Sequence, residues 1–253
     1  MNNIYLFDVD GTLTPAKSKI DRGFKNNLRD WIEGKEVYII SGGTFPRLID
    51  QLSLEIIEMT SGIFPCMGNI FHQKRQQSND NGYSEWDTIY ENKFVVPRNL
   101  VRSLNSIVAK SEFPIKASIH HEKRTGMMNF SIVGINAGKE LRKEYEEWDA
   151  DKQERKSIVQ KLSDKYPSLD FVIGGAVSID IFNKGGDKSQ VIERHLKEAI
   201  EYNQIHFVGD RIAFPGNDYS LAQVLKQHPN GEAYEVESWR DTAKLLKTPP
   251  FTS

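Results

Sequence analysis

Leu6-Phe7-Asp8-Val9-Asp10-Gly11-Thr12-Leu13-Thr14, with the apolar run that begins at Ile4, decides how this chain is read. Ile4 to Phe7 form a short strand, and two carboxylates one residue apart stand where it ends in a Gly-Thr turn. Open α/β sheets expose such strand ends to ligands. A carboxylate placed there can attack phosphorus and hold the group as an aspartyl phosphate. A second one, two residues on and projecting to the same side, can handle the proton of the hydroxyl that arrives or leaves. This assigns Asp8 as nucleophile and Asp10 as general acid and base, and the two charges call for a cation nearby. Asp and Gly also build plain surface turns, but a hydrophobic strand leading straight into the pair argues for a site.

The string resembles the nucleophile motif of the haloacid dehalogenase (HAD) superfamily of phosphotransferases, which implies three further elements at later strand ends. The first is a small hydroxyl residue. Val37-Tyr38-Ile39-Ile40-Ser41-Gly42-Gly43-Thr44 offers Ser41 ahead of glycines whose bare backbone lets a phosphate approach, with Thr44 as a second hydroxyl. The same pattern also suits a helix cap. The second is Lys188 in Gly185-Gly186-Asp187-Lys188-Ser189, just before the helical pattern Val191, Ile192, His195, Leu196, Ala199. A helix start disfavours positive charge, so an ammonium there argues for a partner such as a phosphoryl group and the Asp8 carboxylate. The third is acidic: the strand Ile205 to Val208 ends in Gly209-Asp210, and Pro215-Gly216-Asn217-Asp218 follows. Magnesium takes hard oxygen ligands and keeps several waters, so Asp8, the Asp10 carbonyl and Asp210 suffice to hold Mg2+. Asn217 and Asp218 then steady the ligands or Lys188 from outside.

Composition agrees with an enzyme of this kind. The 253 residues suit two modest domains, and a formal net charge of −2 excludes the basic profile of a nucleic-acid binder. No stretch approaches the roughly 18 apolar residues of a membrane span. The single cysteine, Cys66, permits no internal disulfide and reads as packed in Ile63-Phe64-Pro65-Cys66-Met67. The chain enters its first strand without a leader pattern, which together with the lone cysteine points to the cytoplasm.

Strand and helix patterns alternate from Ile4 to about Leu54, as in a parallel sheet covered by helices. The stretch Gln73 to Tyr83 turns polar, and the character then changes. A helix pattern at Leu100 to Val108 precedes strands expected around Ile115 to Ile119 and at Met127 to Val133. A charged helix is expected from Lys139 to about Lys165, followed by strands at Leu169 to Ile173 and Val177 to Phe182. The expected fold is therefore α/β: a Rossmann-like core, residues 1–83 and 185–253, with an inserted α+β cap of the C2 type at 84–184. Lys247 to Ser253 reads as a loose tail. A cap closing over an aspartyl phosphate excludes water and lets the group pass to a sugar hydroxyl instead.

Over nearly its whole length the sequence resembles the eukaryotic-type phosphomannomutases. The resemblance lies in the opening motif, Arg124-Thr125-Gly126-Met127-Met128-Asn129, Gly174-Gly175-Ala176-Val177-Ser178-Ile179-Asp180-Ile181-Phe182, the Asp-Lys turn, and Phe-Val-Gly-Asp with Pro-Gly-Asn-Asp. It implies that Arg124, Arg142 and Lys17 grip the phosphate not undergoing transfer, and that Ser178 and Asp180 bind sugar hydroxyls. Residues two apart on a strand share a face, which suits the last pair. A plainer reading of Arg142 is a solvated helical charge. The resemblance further implies interconversion of mannose 6-phosphate and mannose 1-phosphate for GDP-mannose synthesis, with Mg2+ and a hexose 1,6-bisphosphate activator, in a homodimer formed through the cap. Departures accompany it. The family has arginine at Ile135 and at Lys17, lysine at Arg211, and Gly-Gly-Ser-Asp where this chain has Ser41-Gly42-Gly43-Thr44. Losing one such arginine contact costs roughly 1.5–3 kcal/mol, which leaves a Mg-dependent sugar-phosphate phosphatase as the alternative. A silent sugar-phosphate sensor would have lost Asp8, Asp10, Lys188 or Asp210, and all four are present.

Overall fold

The computed structural model describes residues 2–78 and 84–252. Ile4, Tyr5, Leu6 and Phe7 of β1 (Asn2–Phe7) are all buried, so the strand is apolar without alternation, as a sheet covered on both faces requires. Its side chains nonetheless sort by parity. Tyr5 and Phe7 join Val37 and Ile39 of β2 (Glu36–Ile40) in one core cluster, with Phe24, Leu28 and Ile32 of α1 (Arg22–Ile32). Ile4 and Leu6 join Tyr38 and Ile40 in the other. Asp21 starts α1 by accepting hydrogen bonds from the Gly23 and Phe24 amides at 2.9 and 3.0 Å.

The chain continues through α2 (Phe45–Leu52), α3 (Leu54–Met59), β3 (Gly62–Phe64), β4 (Ile70–Ser78) and β5 (Ser84–Glu91). It then enters a second layer made of α4 (Leu100–Lys110), β6 (His121–Arg124), β7 (Met127–Ser131), α5 (Lys139–Lys152), α6 (Glu154–Lys165), β8 (Leu169–Gly174) and β9 (Ser178–Asn183). It returns through a π-helical turn (Val191–His195), α7 (Lys197–Tyr202), β10 (Asn203–Gly209), α8 (Tyr219–Gln227), β11 (Gly231–Glu235) and α9 (Trp239–Leu245). The large sheet runs β11-β10-β1-β2-β3-β4-β5, parallel from β11 to β3 and antiparallel beyond. β1 lies between strands that follow it in both directions, so its carboxyl end, where Asp8 begins, is the switch point of the sheet. The small sheet, β6-β7-β9-β8, is antiparallel throughout. Ile179 and Ile181 of β9 pack with Leu104, Tyr145 and Leu162 of the cap helices. Phe182 packs instead with Met127, Cys66 and Met67 of the core loop after β3.

Five expectations are corrected. The border near Ser84 moves beyond Glu91, because β5 pairs with β4 as the edge of the large sheet. Part of the polar stretch is therefore strand, while residues 79–83 lie outside the described residues. The strand at Ile115 to Ile119 does not form. That segment meets the chain after β7 only through single hydrogen bonds, Ala117 N to Val133 O at 2.8 Å and Ile135 N to Ile119 O at 2.6 Å, and Ile115 and Ile119 are about half exposed. The edge strand is β6 instead. The long charged helix breaks at Gln153, whose φ of 53° ends α5, and Asp149 caps α6 by accepting from Arg155 N at 2.9 Å. The helix after Lys188 opens as a π turn, Leu196 N donating to Val191 O. The tail is docked: Phe251 is fully buried, its carbonyl accepts from Trp31 Nε1 at 2.7 Å, and the Pro250 carbonyl accepts from the Tyr5 hydroxyl at 3.0 Å. Ser253 lies outside the described residues.

Both crossings between the layers meet at Asn69, which is buried. Its side-chain amide donates to Gly186 O at 2.9 Å on the returning chain and accepts from Asn92 Nδ2 at 3.1 Å on the outgoing one. Asn92 also donates to Gln190 Oε1 at 2.9 Å, and Gln190 donates to Met67 O at 3.1 Å. A Cβ on Gly126, at the tip between β6 and β7, would lie 2.3 Å from Asn69 Cβ, so only glycine lets the cap rest on this joint.

Candidate active site

Asp8 follows β1 directly, its amide donating to Val208 O of β10 at 2.9 Å. The Lys188 ammonium, fully buried, donates to Asp8 Oδ1 at 2.5 Å and to Asp218 Oδ1 at 2.6 Å. One cation thus faces two carboxylates. Burial opposes its charge, but the two acids hold it protonated and push its pKa above the ordinary range. Burial drives the Asp8 carboxyl well above its usual value, with Asp218 and Asp210 adding to the rise and Lys188 opposing it. Asp210 is pushed up to about 7, chiefly by burial and then by Asp218.

A cation fits beside this set. Carboxylate oxygens of Asp8, Asp210 and Asp218 lie within 4.8 Å of one another. Both oxygens of Asp218 are engaged, Oδ1 by Lys188 and Oδ2 by the Arg211 amide at 3.1 Å, so Asp8 and Asp210 are the acids with an oxygen to give. Gly11, at φ +90°, makes room for one of them: a Cβ there would lie 2.3 Å from Asp210 Oδ2. These hard carboxylate donors suit magnesium.

Asp10 is held from its own turn and from α2. Its Oδ1 accepts from Lys17 N at 2.6 Å and from Gln51 Nε2 at 2.9 Å. Ser41, buried at the end of β2, accepts from Gly43 N at 3.0 Å, which leaves its hydroxyl hydrogen to donate. Thr44 occupies the first position before α2, and its side chain makes no capping bond.

The small sheet supplies the opposite wall. Arg124 donates to Gly42 O at 2.7 Å across the seam and is braced by Glu122 through Nε at 2.7 Å and Nη2 at 2.5 Å. Asp180 Oδ1 accepts from Asn129 Nδ2 at 2.6 Å, and Ser178 donates to Gly174 O at 3.2 Å. Asp180 is buried, and burial raises its pKa against the pull of Arg124. Lys17 Nζ donates to Ile135 O at 3.5 Å; burial, with the charges of Arg142, Arg47 and Arg124, pulls the amine down to about 8. Arg142 Nη1 and Asn217 Oδ1 are buried without a hydrogen-bond partner among the described residues. Nine of the twelve site residues singled out in the sequence line one cavity of ≈ 50 Å³: Asp8, Asp10, Ser41, Lys17, Arg124, Arg142, Ser178, Asp180 and Asn217. Lys188, Asp210 and Asp218 sit behind Asp8. Wider hollows, ≈ 530 Å³ between α4 and α6 and ≈ 640 Å³ beside Lys93, contain neither Asp8 nor Asp10, so convergent charge rather than volume marks the site.

Four contributors were not read from the sequence: Arg47, Gln51, Glu122 and Asn129. Arg47 and Gln51 stand four apart on α2, on one helical face, and that spacing in the helix after the Ser-Gly-Gly turn was the available signal.

The chain matches the family described as eukaryotic phosphomannomutase over residues 24–249. It is 31% identical to phosphomannomutase 2 of Dictyostelium discoideum over 251 residues, 97% of this chain and 95% of that one. It is 28% identical to the phosphomannomutase of Saccharomyces cerevisiae over 96% of this chain and 92% of that one. Among solved structures, the C-terminal domain of trehalose-6-phosphate phosphatase from C. albicans superposes with a TM-score of 0.60 at 16% identity, covering 97% of this chain and 91% of that one, a likeness of fold.

Proposed function

Because the chain belongs to the eukaryotic phosphomannomutase family, we propose that it is an isomerase interconverting mannose 6-phosphate and mannose 1-phosphate through an aspartyl phosphate on Asp8 and a hexose 1,6-bisphosphate. The observation that carries the reading is one small cavity with Asp8 and Asp10 on the core wall and the cations Arg124 and Arg142 on the cap wall. Hydrolysis needs water at Asp8, and transfer to a sugar needs water kept out.

In the first half-reaction the Asp8–phosphorus bond breaks as the free hydroxyl of the hexose phosphate bonds to phosphorus, and Asp10 takes that hydroxyl's proton. Asp10 Oδ1 already accepts two hydrogen bonds, so Oδ2 is the oxygen left to hold the proton. In the second half the bisphosphate lies with its ends exchanged. Asp8 attacks the other phosphorus, the phosphorus–sugar oxygen bond breaks, and Asp10 returns the proton to the leaving oxygen. Lys188 and the Ser41 hydroxyl stabilise charge on the phosphoryl group in flight. Asp8, Asp210 and the Asp10 carbonyl would hold Mg2+, which when bound offsets the charge of the phosphoryl oxygens. Asp218 fixes Lys188, and Asn217 steadies the rim. Arg124, Arg142 and Lys17 hold the phosphate at rest, and Ser178 and Asp180 bind sugar hydroxyls. A hexose 1,6-bisphosphate supplies the first phosphoryl group.

The reading extends to a cytoplasmic enzyme supplying mannose 1-phosphate for GDP-mannose and acting as a homodimer through the cap. Half-exposed Ile115 and Ile119 beside the open edge of β6 support such pairing, and sedimentation in solution checks it. Among the described residues no helix is long and apolar enough to cross a membrane.

The function is tested by incubating the protein with mannose 1-phosphate, magnesium and a trace of hexose 1,6-bisphosphate. Mannose 6-phosphate should form and should not form with Asp8→Asn. Formation by Asp8→Asn, or none by the natural chain, overturns the reading.

A further inference from the structure

Two guanidinium groups, neither of them in an ion pair among the described residues, line the cavity from opposite layers. Arg47 lies in the first turn of α2, on the core, and Arg142 in the first turn of α5, on the cap. Both line the cavity that holds Asp8 and Asp10. Each stands where the helix dipole disfavours positive charge, so neither is placed there for its helix. Arg47 runs back along the Ser41-Gly42-Gly43 turn, its Cδ 3.6 Å from where a Cβ on Gly43 would sit. It makes no side-chain hydrogen bond or ion pair among the described residues. Arg142 Nη1 is buried with no acceptor among the described residues. Burial weighs most against the charge of Arg142, Asp10 and Glu146 support it, and Arg47 opposes it; burial and Arg142, then Arg47, likewise oppose protonation of Lys17.

The other cations are partly committed. Arg124 spends three N–H groups on Glu122 and Gly42. Lys17, the core's remaining cation in the cavity, is pulled down to about 8 and offers a point charge rather than a fork. Two unpaired guanidiniums lining one small cavity repel each other unless an anion comes between them, and a phosphate ester dianion matches their paired N–H groups.

We propose that Arg47 is a substrate-binding residue: with Arg142 it clasps the phosphate not undergoing transfer, one arm from the core and one from the cap, so that this phosphate fastens the cap shut. The proposal rests on the mutase reading above and adds a residue and a coupling to it. A ligand shifts a conformational equilibrium only by its difference in affinity for the two states. Cap arginines alone hold a phosphate equally well whether the cap is open or closed. A permanently charged residue on the core makes the closed state the tighter one. Arg47 therefore sets both affinity and the exclusion of water from the aspartyl phosphate.

The test compares the natural chain with Arg47→Gln and Arg47→Lys, following mannose 1-phosphate isomerisation and free phosphate together. Arg47→Gln should raise KM about ten- to hundredfold, the effect of losing one charge-assisted contact, and send a larger share of phosphoryl groups to water. Arg47→Lys should recover part of the KM and less of the seal. A second readout needs no turnover: hexose 1,6-bisphosphate without magnesium should raise the melting temperature of the natural chain more than that of Arg47→Gln. An active natural chain with unchanged KM and phosphate release in Arg47→Gln overturns the Arg47 role and leaves the mutase reading standing. An inactive natural chain whose stabilisation by the bisphosphate is lost in Arg47→Gln overturns the mutase reading and supports the anion clasp. If Arg47→Gln melts early without ligand, Arg47→Lys carries the test, a several-fold rise in KM supporting the proposal and an unchanged KM overturning it.

Discussion

The Lys188 ammonium, fully buried, lies 2.5 Å from Oδ1 of the buried Asp8. Asp218 shares the same ammonium at 2.6 Å, so one charge stabilises two buried acids that are 210 residues apart in the chain.

Replacing Lys188 with Met should therefore do more than remove a catalytic charge. It strands two carboxylates in a buried site, at a cost on the order of 3–5 kcal/mol, and it should lower turnover by about a hundredfold or more. Urea denaturation and initial rates check both. The double variant Lys188→Met with Asp218→Asn should regain part of the stability and none of the activity.

Magnesium dependence should follow pH through Asp210. Its folded-state pKa, about 7, lies above the usual carboxylate value, so the associated stability is complete in acid and is lost as pH rises through 7 when no metal is present. Magnesium binds the deprotonated acid and offsets that loss. The rise in melting temperature caused by magnesium should thus be larger at pH 8 than at pH 6. Equal rises at both would count against Asp210 as a ligand.

The joint at Asn69 should govern how well the cap seals. Asn69→Ala removes bonds to both crossings at once, at roughly 1–3 kcal/mol for the buried partners left unpaired. With Asp8 and Lys188 intact, the chemistry at phosphorus should continue while the fraction of phosphoryl groups lost to water increases. A fall in isomerisation and hydrolysis by the same factor would instead place the defect at the carboxylates.

The carboxyl-terminal segment should matter for stability and little for the site. Phe251 packs 5.5 Å from Tyr5 and 5.1 Å from Tyr234, ring centre to ring centre, and does not line the cavity that holds Asp8 and Asp10. Phe251→Ala should cost about 3–5 kcal/mol in a denaturant melt and leave KM for the hexose phosphate within twofold.

Legibility in the sequence followed the range of the interaction. Asp8, Asp10, Ser41, Lys188 and Asp210 sit at strand ends, where local signals are strongest: an apolar run, then a turn, then a polar residue. The alternating core and the inserted cap were legible for the same reason. Arg47 and Gln51 were not, because only tertiary packing turns their face of α2 toward Asp10. The break at Gln153 depends on Asp149 capping the next helix, and the unformed strand at Ile115 depends on an edge with too few partners. Phe251 looked loose because Pro249 and Pro250 read as a tail, while its pocket is built from Tyr5, Trp31 and Tyr234, remote in sequence.

The account stands on the claim that the closed cavity passes a phosphoryl group to sugar rather than to water. Phosphorus NMR of the protein with mannose 1-phosphate, magnesium and a trace of glucose 1,6-bisphosphate reads both outcomes in one sample. The account predicts that mannose 6-phosphate accumulates to equilibrium with little free phosphate, despite isoleucine at position 135. Free phosphate as the main product would contradict it and make the protein a sugar-phosphate phosphatase.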